Sequence, residues 1–270
     1  MASIRVGTSG WSYRDWAPAF YPPDVAPAAY LTCYAHRFDI VEVDSTYYRS
    51  PSPSMVRGWH DKTPDHFRFA VKVPGLITHE KVLLDCERER DALLEALTPL
   101  GDKLHSMLLQ FGYFNKKAFP APGAFLDRLD GFLETFPNPR RLAIEIRNKN
   151  WLTETFFQLL RRHGSAYVLT EHSWMPPVES VMQQHDCLTG DFVYLRLIGD
   201  RAGIEEITTT WDKTVIDRNE RIAQIANALA GTLSHADIVA FINNHFAGHA
   251  PASAEAFLNA LANANREANR

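Results

Sequence analysis

Eight short segments of the chain carry the hydrophobic pattern of β-strands. Each is rich in β-branched or aromatic residues and is bounded by polar or turn-forming residues. The segments cover residues 4–7, 39–46, 67–73, 107–111, 142–147, 166–170, 192–198 and 238–243. Several of them alternate between apolar and polar residues, which predicts strands with two chemically different faces.

Helical periodicity fills the stretches between these segments. Ile222, Ile225, Ala226 and Leu229 recur at i, i+3, i+4 and i+7, which places them on one face of a helix. Thr153 precedes another apolar stripe and is predicted to cap its helix. Further helices are predicted over residues 26–36, 53–62, 121–134, 176–185 and 252–266, and around the leucines of residues 93–100.

The alternation of strand and helix predicts the fold class, because parallel strands are joined by crossover helices. Eight such units in 270 residues close naturally into a (β/α)8 TIM barrel. We therefore predict a single domain over residues 1–270, with a frayed tail over residues 264–270. An open doubly wound sheet is the rival, but the sequence GTSGW after the first strand is not the GxGxxG of dinucleotide-binding sheets.

The polar faces of the alternating strands are expected to converge inside the barrel. Helices cover the outer face of a parallel barrel, so apolar residues such as Ile144 and Ile146 should face the helices. The polar residues then gather near the C-terminal strand ends, where active sites of this fold lie. They are Asp44, Lys72, Gln110, Glu145, Arg147, Arg196 and Asn243. A structural ion-pair network is the alternative, and it applies best to Glu42 and Arg68, which lie deeper.

Composition narrows the classes of protein that remain. The chain is 46% hydrophobic and 22% charged, which excludes a disordered chain or a fibre. Its formal net charge of −4 predicts no general attraction to nucleic acid or anionic membranes. Cys33, Cys86 and Cys187 are odd in number and lack CxxC spacing, which argues against a disulfide framework or a structural zinc site. With no signal-peptide pattern and no membrane-length apolar run, we predict a cytoplasmic protein.

The sequence resembles a known family over almost its whole length. The matching runs are GTSGWSY at 7–13, VEVDSTYY at 41–48, FAVKVP at 69–74, ITH at 77–79, AIEIRNKNW at 143–151, YLRLIG at 194–199 and INNHFAGHAPASA at 242–254. These runs are similar to those of the YecE-like proteins, domain-of-unknown-function family seventy-two. The resemblance implies a TIM barrel and no particular chemistry. Two departures mark this chain: LLQFGYFNK at 108–116 replaces a Pro-rich stretch, and Glu171 stands where an Asp is common.

The convergent polar residues predict an enzyme that uses general acid/base chemistry on a small anionic substrate, phosphorylated or sugar-like. Glu145 would transfer the proton, assisted by Asp44 or Lys72. Arg147 and Arg196 would hold the anion. The resemblance adds further expected substrate contacts, which are Gln110, Asn243, Asn244, His79, Thr46, Trp11 and Trp151. Hydrolase, isomerase and lyase chemistry all stay open, and the sequence assigns no oligomeric state.

Two other functions remain as alternatives. One is a non-catalytic module that binds an anion or a nucleotide in the same place. The other is a metal-dependent hydrolase or an endonuclease-like barrel, for which the candidate ligands are Asp44, Glu145, His79, His245 and His249. We predict no cofactor. A divalent metal stays open as a disfavoured alternative, because the nearby cations Lys72, Arg147 and Arg196 would repel it. Nucleic acid is a disfavoured partner, since binding phosphate backbones needs clustered basic residues.

Overall fold

The computed structural model describes residues 3–137, 141–232 and 236–268. Its strands are β1 (Ile4–Thr8), β2 (Ile40–Val43), β3 (Arg68–Lys72), β4 (Leu104–Gln110), β5 (Leu142–Glu145), β6 (Ala166–His172), β7 (Phe192–Gly199) and β8 (Asp237–Ile242). They form one sheet in the order β1-β8-β7-β6-β5-β4-β3-β2, and a parallel bridge between Ser9 and Glu42 joins the two ends of that order. This is the strand order of a (β/α)8 TIM barrel, so the predicted fold class is confirmed.

Helices separate the strands along the chain. They are α1 (Tyr30–Ala35), α2 (Pro53–Asp61), α3 (Glu87–Leu97), α4 (Pro122–Glu134), α5 (Glu154–Arg162), α6 (Val178–Gln184), α7 (Arg201–Glu205), α8 (Asn219–Thr232) and α9 (Ala250–Ala268). The predicted N-cap of α5 is confirmed, because Thr153 Oγ1 accepts a hydrogen bond from the Phe156 N–H at 3.4 Å. Among the described residues, none of the helices combines the length and apolar character needed to cross a membrane.

Strand ends differ from the predicted ones in two informative places. The chain leaves β2 after Val43 and forms a short 3-10 helix over Ser45–Tyr47, so Asp44 and Thr46 lie beyond the strand. Strand β5 likewise ends at Glu145, and Arg147 follows it. At the C-terminus, α9 continues to Ala268, so helix covers most of the segment that we predicted to fray, and residues 269–270 lie outside the described residues.

The chain divides into two compact units. The first contains residues 1–42, 169–184 and 192–270, and the second contains residues 43–168 and 185–191. In the second unit, the strand register separates two faces. Lys72 pairs with Leu108 and Gln110 pairs with Glu145, so these side chains share one face.

Aromatic residues on the other face of the second unit pack against helices. The Phe69 ring lies 6.2 Å from that of Trp59 in α2, and the Tyr167 ring lies 5.1 Å from that of Phe157 in α5. The polar residues therefore lie on the face that points away from the helices, as the alternation predicts.

The first unit shows the same separation of faces. Thr8 of β1 points toward α1, where its Oγ1 donates a hydrogen bond to Tyr34 Oη at 2.9 Å. Tyr194 and Arg196 of β7 lie on the same face as Glu42 of β2, since both side chains donate hydrogen bonds to the Glu42 carboxylate. The parity of each strand thus decides which side chains meet the helices and which meet each other.

Candidate functional site

A cation, an aromatic ring and an imidazole come together where β3 ends in the second unit. Lys72 Nζ lies 4.3 Å from the centroid of the Tyr47 ring. The His79 ring lies 5.0 Å from the same ring and is nearly perpendicular to it, at 84°. A positive charge over an aromatic face is attracted by the ring quadrupole, so Tyr47 fixes the position of the ammonium group. We call Tyr47, Lys72 and His79 the β3-end cluster.

The β3-end cluster depends on backbone contacts around it. Thr46 Oγ1 lies 2.6 Å from the Lys72 carbonyl oxygen and 2.9 Å from that of Val43, which ties the turn after β2 to the end of β3. Gly75 follows β3, and a Cβ atom there would lie 2.8 Å from the Tyr47 ring, closer than real Cβ contacts. The ring therefore needs a glycine at this position to lie against the backbone.

His79 is carried by a π-helical turn over Leu76–Glu80. The turn closes with a hydrogen bond from the Lys81 N–H to the Leu76 carbonyl at 2.9 Å, five residues apart. Val82, Leu83 and Asp85 follow it with positive φ angles of 44°, 67° and 47°. Such angles cost free energy for residues other than glycine, and this clustering of π geometry and strain is typical of functional sites.

The His79 imidazole has one anchored and one open nitrogen. Nδ1 lies 2.8 Å from Thr78 Oγ1, while none of the described residues forms a hydrogen bond with Nε2. Burial lowers the pKa of His79, and the positive charge of Lys72 lowers it further. The ring is therefore neutral near pH 7.

The second buried group of this unit is the ion pair of Glu145 and Arg147. Glu145 is fully buried, and both Nε and Nη2 of Arg147 lie 2.5 Å from its Oε1. Gln110 pairs with Glu145 across the strands, and its Nε2 donates to the Phe111 carbonyl at 2.6 Å. The pair stabilises the ionised carboxylate and fixes the guanidinium just beyond the end of β5.

Trp151 and Asp44 lie in different settings. The Trp151 ring is buried among aromatic rings, 5.9 Å from Phe114 and 5.3 Å from Phe125. The Asn148 side chain joins the same loop to the Phe114 backbone, since its Nδ2 donates to the Phe114 carbonyl at 2.8 Å and its Oδ1 accepts from the Phe114 N–H at 2.9 Å. Trp151 therefore packs a loop against the strands. Asp44 is the residue that follows β2. It is half-buried, and its side chain does not cap the 3-10 helix that comes next.

In the first unit, Arg196 is engaged by a buried carboxylate. Arg196 Nη2 donates to Glu42 Oε1 at 2.6 Å, and Tyr194 Oη donates to Glu42 Oε2 at 2.8 Å. Glu42 is fully buried, and only 4% of Arg196 is exposed. The alternative of a structural ion pair thus describes Glu42. It does not describe Arg68, the first residue of β3, which donates to the carbonyls of Asp65 and Phe67 just before that strand.

The two asparagines after β8 make local contacts within the first unit. Asn243 Oδ1 accepts from the His245 N–H at 3.0 Å and lies 2.6 Å from His245 Nδ1. Asn244 Oδ1 accepts from Trp16 Nε1 at 3.1 Å and from the Ala250 N–H at 3.0 Å. Trp11, the other predicted contact here, is half-buried, and its carbonyl accepts from Tyr21 Oη at 2.5 Å.

The histidines proposed as metal ligands turn to other partners. His245 Nε2 lies 3.1 Å from Glu205 Oε1, and His249 Nδ1 lies 2.7 Å from the Trp211 carbonyl. Within residues 3–137, 141–232 and 236–268, no three His, Cys, Asp or Glu side chains gather in an arrangement that could hold a metal ion.

Several side-chain contacts were not predicted from the sequence. Glu205 and Trp211 reach His245 from the segment after β7, where no periodicity places them. Arg221 of α8 donates from Nη2 to Oε2 of both Glu171 and Glu179 at 2.7 Å, and of these residues the sequence pointed only to Glu171. Tyr194 alternates with the apolar residues of its strand and so lies on the polar face. That position was the one sequence feature that pointed toward its contact with Glu42.

Comparison with known proteins assigns the family. The sequence pattern of the family described as "Protein of unknown function DUF72" matches residues 5–270 of the chain. The chain belongs to the DUF72 family. The resemblance seen in its motifs is thus confirmed.

Other DUF72 proteins share both sequence and fold with this one. The chain is 32% identical to the UPF0759 protein YecE of Escherichia coli (strain K12) over 229 residues, which cover 77% of this chain and 79% of that one. A solved structure of a DUF72 family protein from Thermotoga maritima MSB8 superposes with a TM-score of 0.73 at 26% identity, covering 99% of this chain and 100% of that chain. One from Enterococcus faecalis V583 gives 0.70 at 22% identity, covering 96% and 95%. These DUF72 structures share the fold of this chain.

Proposed function

We propose that this DUF72 protein is an enzyme that acts by general acid/base chemistry on a small anionic substrate. The reaction would take place on the polar face of the second unit, at the C-terminal ends of β3, β4 and β5. The observation that carries the proposal is the β3-end cluster, in which a fixed ammonium group and a neutral imidazole share one aromatic ring. Active sites of this fold lie at that end of the strands.

The anion would be held by two cations of different kinds. Lys72 supplies a point charge whose position is set by the Tyr47 ring. Arg147 supplies a planar guanidinium whose orientation is set by Glu145. A planar guanidinium suits carboxylate and phosphate oxygens, and a lysine adds charge without a geometric demand.

His79 would move the proton. Its lowered pKa keeps the ring neutral near pH 7, and Nε2 forms no hydrogen bond with the described residues. A neutral imidazole held through Nδ1 is a typical general base. This assignment differs from the one that we predicted from sequence, in which Glu145 transfers the proton. Two nitrogens of Arg147 already occupy Oε1 of Glu145, so Glu145 acts here as a positioning residue for Arg147.

Arg196 takes no part in holding the anion in this proposal, although the sequence suggested it. Its guanidinium donates to a fully buried carboxylate, and 4% of the residue is exposed. Glu42, in the same unit, supplies a counter-charge to Arg196. Asp44 keeps its predicted assisting role, because it directly follows β2 and adjoins the turn that carries Thr46 and Tyr47.

The proposal is tested with a panel of sugar phosphates, sugar acids and small hydroxy acids. Each compound is incubated with the protein and followed by proton and phosphorus NMR. We expect the wild-type chain to convert at least one compound, and Lys72→Met and His79→Asn to abolish the conversion. Lys116→Met removes an exposed lysine from the loop after β4 and serves as the matched control with unchanged turnover.

The outcomes separate the enzyme from the binding module. Binding of a panel compound that is weakened by Lys72→Met, with the compound recovered unchanged after long incubation, would favour the non-catalytic module. Binding or turnover that is the same in Lys72→Met as in Lys116→Met would remove the β3-end cluster from the function altogether.

A further inference from the structure

A cavity lies in the first unit, away from the residues used above. Its volume is about 330 Å³, and it lies where β6 and β7 end and beside the turn that follows β8. The lining includes Glu171, Ser173, Met175, Asp200, Arg218 and Phe246. The volume falls at the lower end of the range for small-molecule sites, and ligands of this fold bind at this end of the strands.

Arg218 offers hydrogen-bond donors to this cavity. It is half-buried, its Nε donates to the Phe246 carbonyl at 3.2 Å, and its guanidinium lies 5.7 Å from the Phe246 ring centroid. Within the part of the chain that the structure describes, Arg218 forms no ion pair and its Nη atoms form no hydrogen bond. Two terminal nitrogens in a half-buried setting therefore remain for a ligand.

Asp200 offers the complementary acceptors. It precedes α7, and its carboxylate does not cap that helix or pair with any other described residue. The third charged group, Glu171, is already paired, because Arg221 Nε and Nη2 each lie 2.7 Å from its oxygens, although Arg221 also pairs with Glu179. The charged groups at the cavity and their partners sum to −1, from Arg218 and Arg221 against Glu171, Glu179 and Asp200. This balance disfavours a phosphate and favours a neutral ligand with both donors and acceptors.

An exposed tryptophan stands next to the cavity. Trp174 is 66% exposed, and it lies between Ser173 and Met175, which both line the cavity. The Trp174 ring is 5.3 Å from that of His172, and the Trp174 backbone N–H donates to His172 Nδ1 at 3.1 Å, so the loop is held at the end of β6. An exposed aromatic ring beside a cavity is suited to stack on a ring-shaped ligand that enters it.

We infer that this cavity is a carbohydrate site that binds a neutral sugar ring. Trp174 would stack on the apolar face of the ring. Arg218 would donate to ring hydroxyls and Asp200 would accept from them. A sugar has one apolar face and a rim of hydroxyl groups that both donate and accept, which is the combination that these three side chains present. The inference does not depend on the catalytic proposal, because the two share no residue.

The test uses the intact protein labelled with 5-fluorotryptophan and observed by fluorine NMR. The chain has six tryptophans, and Trp174→Phe identifies the Trp174 resonance. Methyl glycosides of common hexoses and pentoses, and short oligosaccharides made from them, are titrated one at a time. We expect at least one to shift the Trp174 resonance saturably and to leave most of the other resonances in place.

Ligand-observed saturation-transfer NMR then measures affinity in the variants. Trp174→Ala should weaken binding of that glycoside at least tenfold, and Asp200→Asn at least threefold. Tyr113→Ala removes a comparably exposed aromatic ring from the second unit and should change nothing. If no glycoside shifts the Trp174 resonance, the inference is wrong. If inorganic phosphate shifts it and glycosides do not, the site binds anions and the assigned ligand class is overturned.

Discussion

Two fully buried glutamates, one in each unit, are both paired with arginine, yet they differ in what the pair connects. Glu42 binds Tyr194 and Arg196, which are 152 and 154 residues away in sequence. Glu145 binds Arg147, two residues away. The first pair joins strands that meet only in the folded chain, whereas the second links two residues of one short segment.

This difference separates a stabilising pair from a positioning pair. Breaking the Glu42 pair leaves a cation almost fully enclosed by the fold, since the Arg196 side chain is 5% exposed. The Arg147 side chain is 10% exposed and lies beyond the end of β5, so solvent reaches its guanidinium more easily. We therefore expect changes at Glu42 to affect unfolding most, and changes at Glu145 to affect ligand handling most.

The largest expected effect follows Glu42→Gln. The substitution keeps the shape of the side chain and removes the carboxylate charge that faces the buried Arg196 guanidinium. We expect the free energy of unfolding to fall by about 3–5 kcal/mol in urea titrations followed by circular dichroism. Glu134→Gln, at an exposed position in α4, is the control and should stay within about 0.5 kcal/mol of wild type. A loss at Glu42 as small as that of the control would contradict the distinction.

Tyr194→Phe should have the next largest effect. It removes the hydroxyl that donates to Glu42 Oε2 and keeps the ring, which packs 5.0 Å from Phe241. We expect a loss of about 1–3 kcal/mol, because a buried carboxylate oxygen loses its donor. The double variant Glu42→Gln with Tyr194→Phe should lose less than the sum of the two single losses. Strict additivity would show that the two side chains do not act on each other.

Glu145→Gln should cost less stability and more function. The amide oxygen still accepts from Arg147, so we expect a loss of about 1 kcal/mol in the same urea titration. Turnover of the substrate found in the panel should fall, with a rise in KM, because a neutral amide holds the guanidinium less firmly than a carboxylate does. Unchanged kcat and KM would remove the Glu145 pair from the site.

The smallest effect concerns His79 and pH. Its folded pKa is lowered, so between the ordinary value of about 6.5 and the lowered one, the unfolded chain binds a proton that the folded chain does not. Stability should therefore decrease as the pH falls through this window. His79→Asn should remove that part of the slope when urea titrations are compared from pH 5 to 7.5. His245, whose pKa is lowered mainly by burial, contributes in the same direction and stays in both proteins. Parallel pH profiles of the two proteins would show that His79 does not titrate as described.

Alternation of residue types was enough to predict the fold and the faces of its strands. All eight predicted strands are present, and Lys72, Gln110 and Glu145 share the face that the parity argument gave them. The reason is physical, since a parallel sheet covered by helices leaves only one face on which polar groups can meet.

Pairing partners and irregular turns were beyond the reach of the sequence. Glu42 and Arg196 were both recognised as polar-face residues, but their contact depends on register across the sheet, which no local pattern encodes. The sequence LITHE gives no sign of a π-helical turn, and a β-branched residue such as Val82 is a poor predictor of positive φ. Tertiary contacts override local preference in both cases.

The π-helical turn over Leu76–Glu80 has a consequence for how this loop tolerates change in length. A π turn holds one residue more than an α turn, so removing a single residue between Pro74 and His79 would restore regular helical spacing. It would also rotate every later side chain by about 100° around the helix axis. Related chains that keep the imidazole beside Lys72 should therefore conserve the residue count here, even where the amino acids themselves differ.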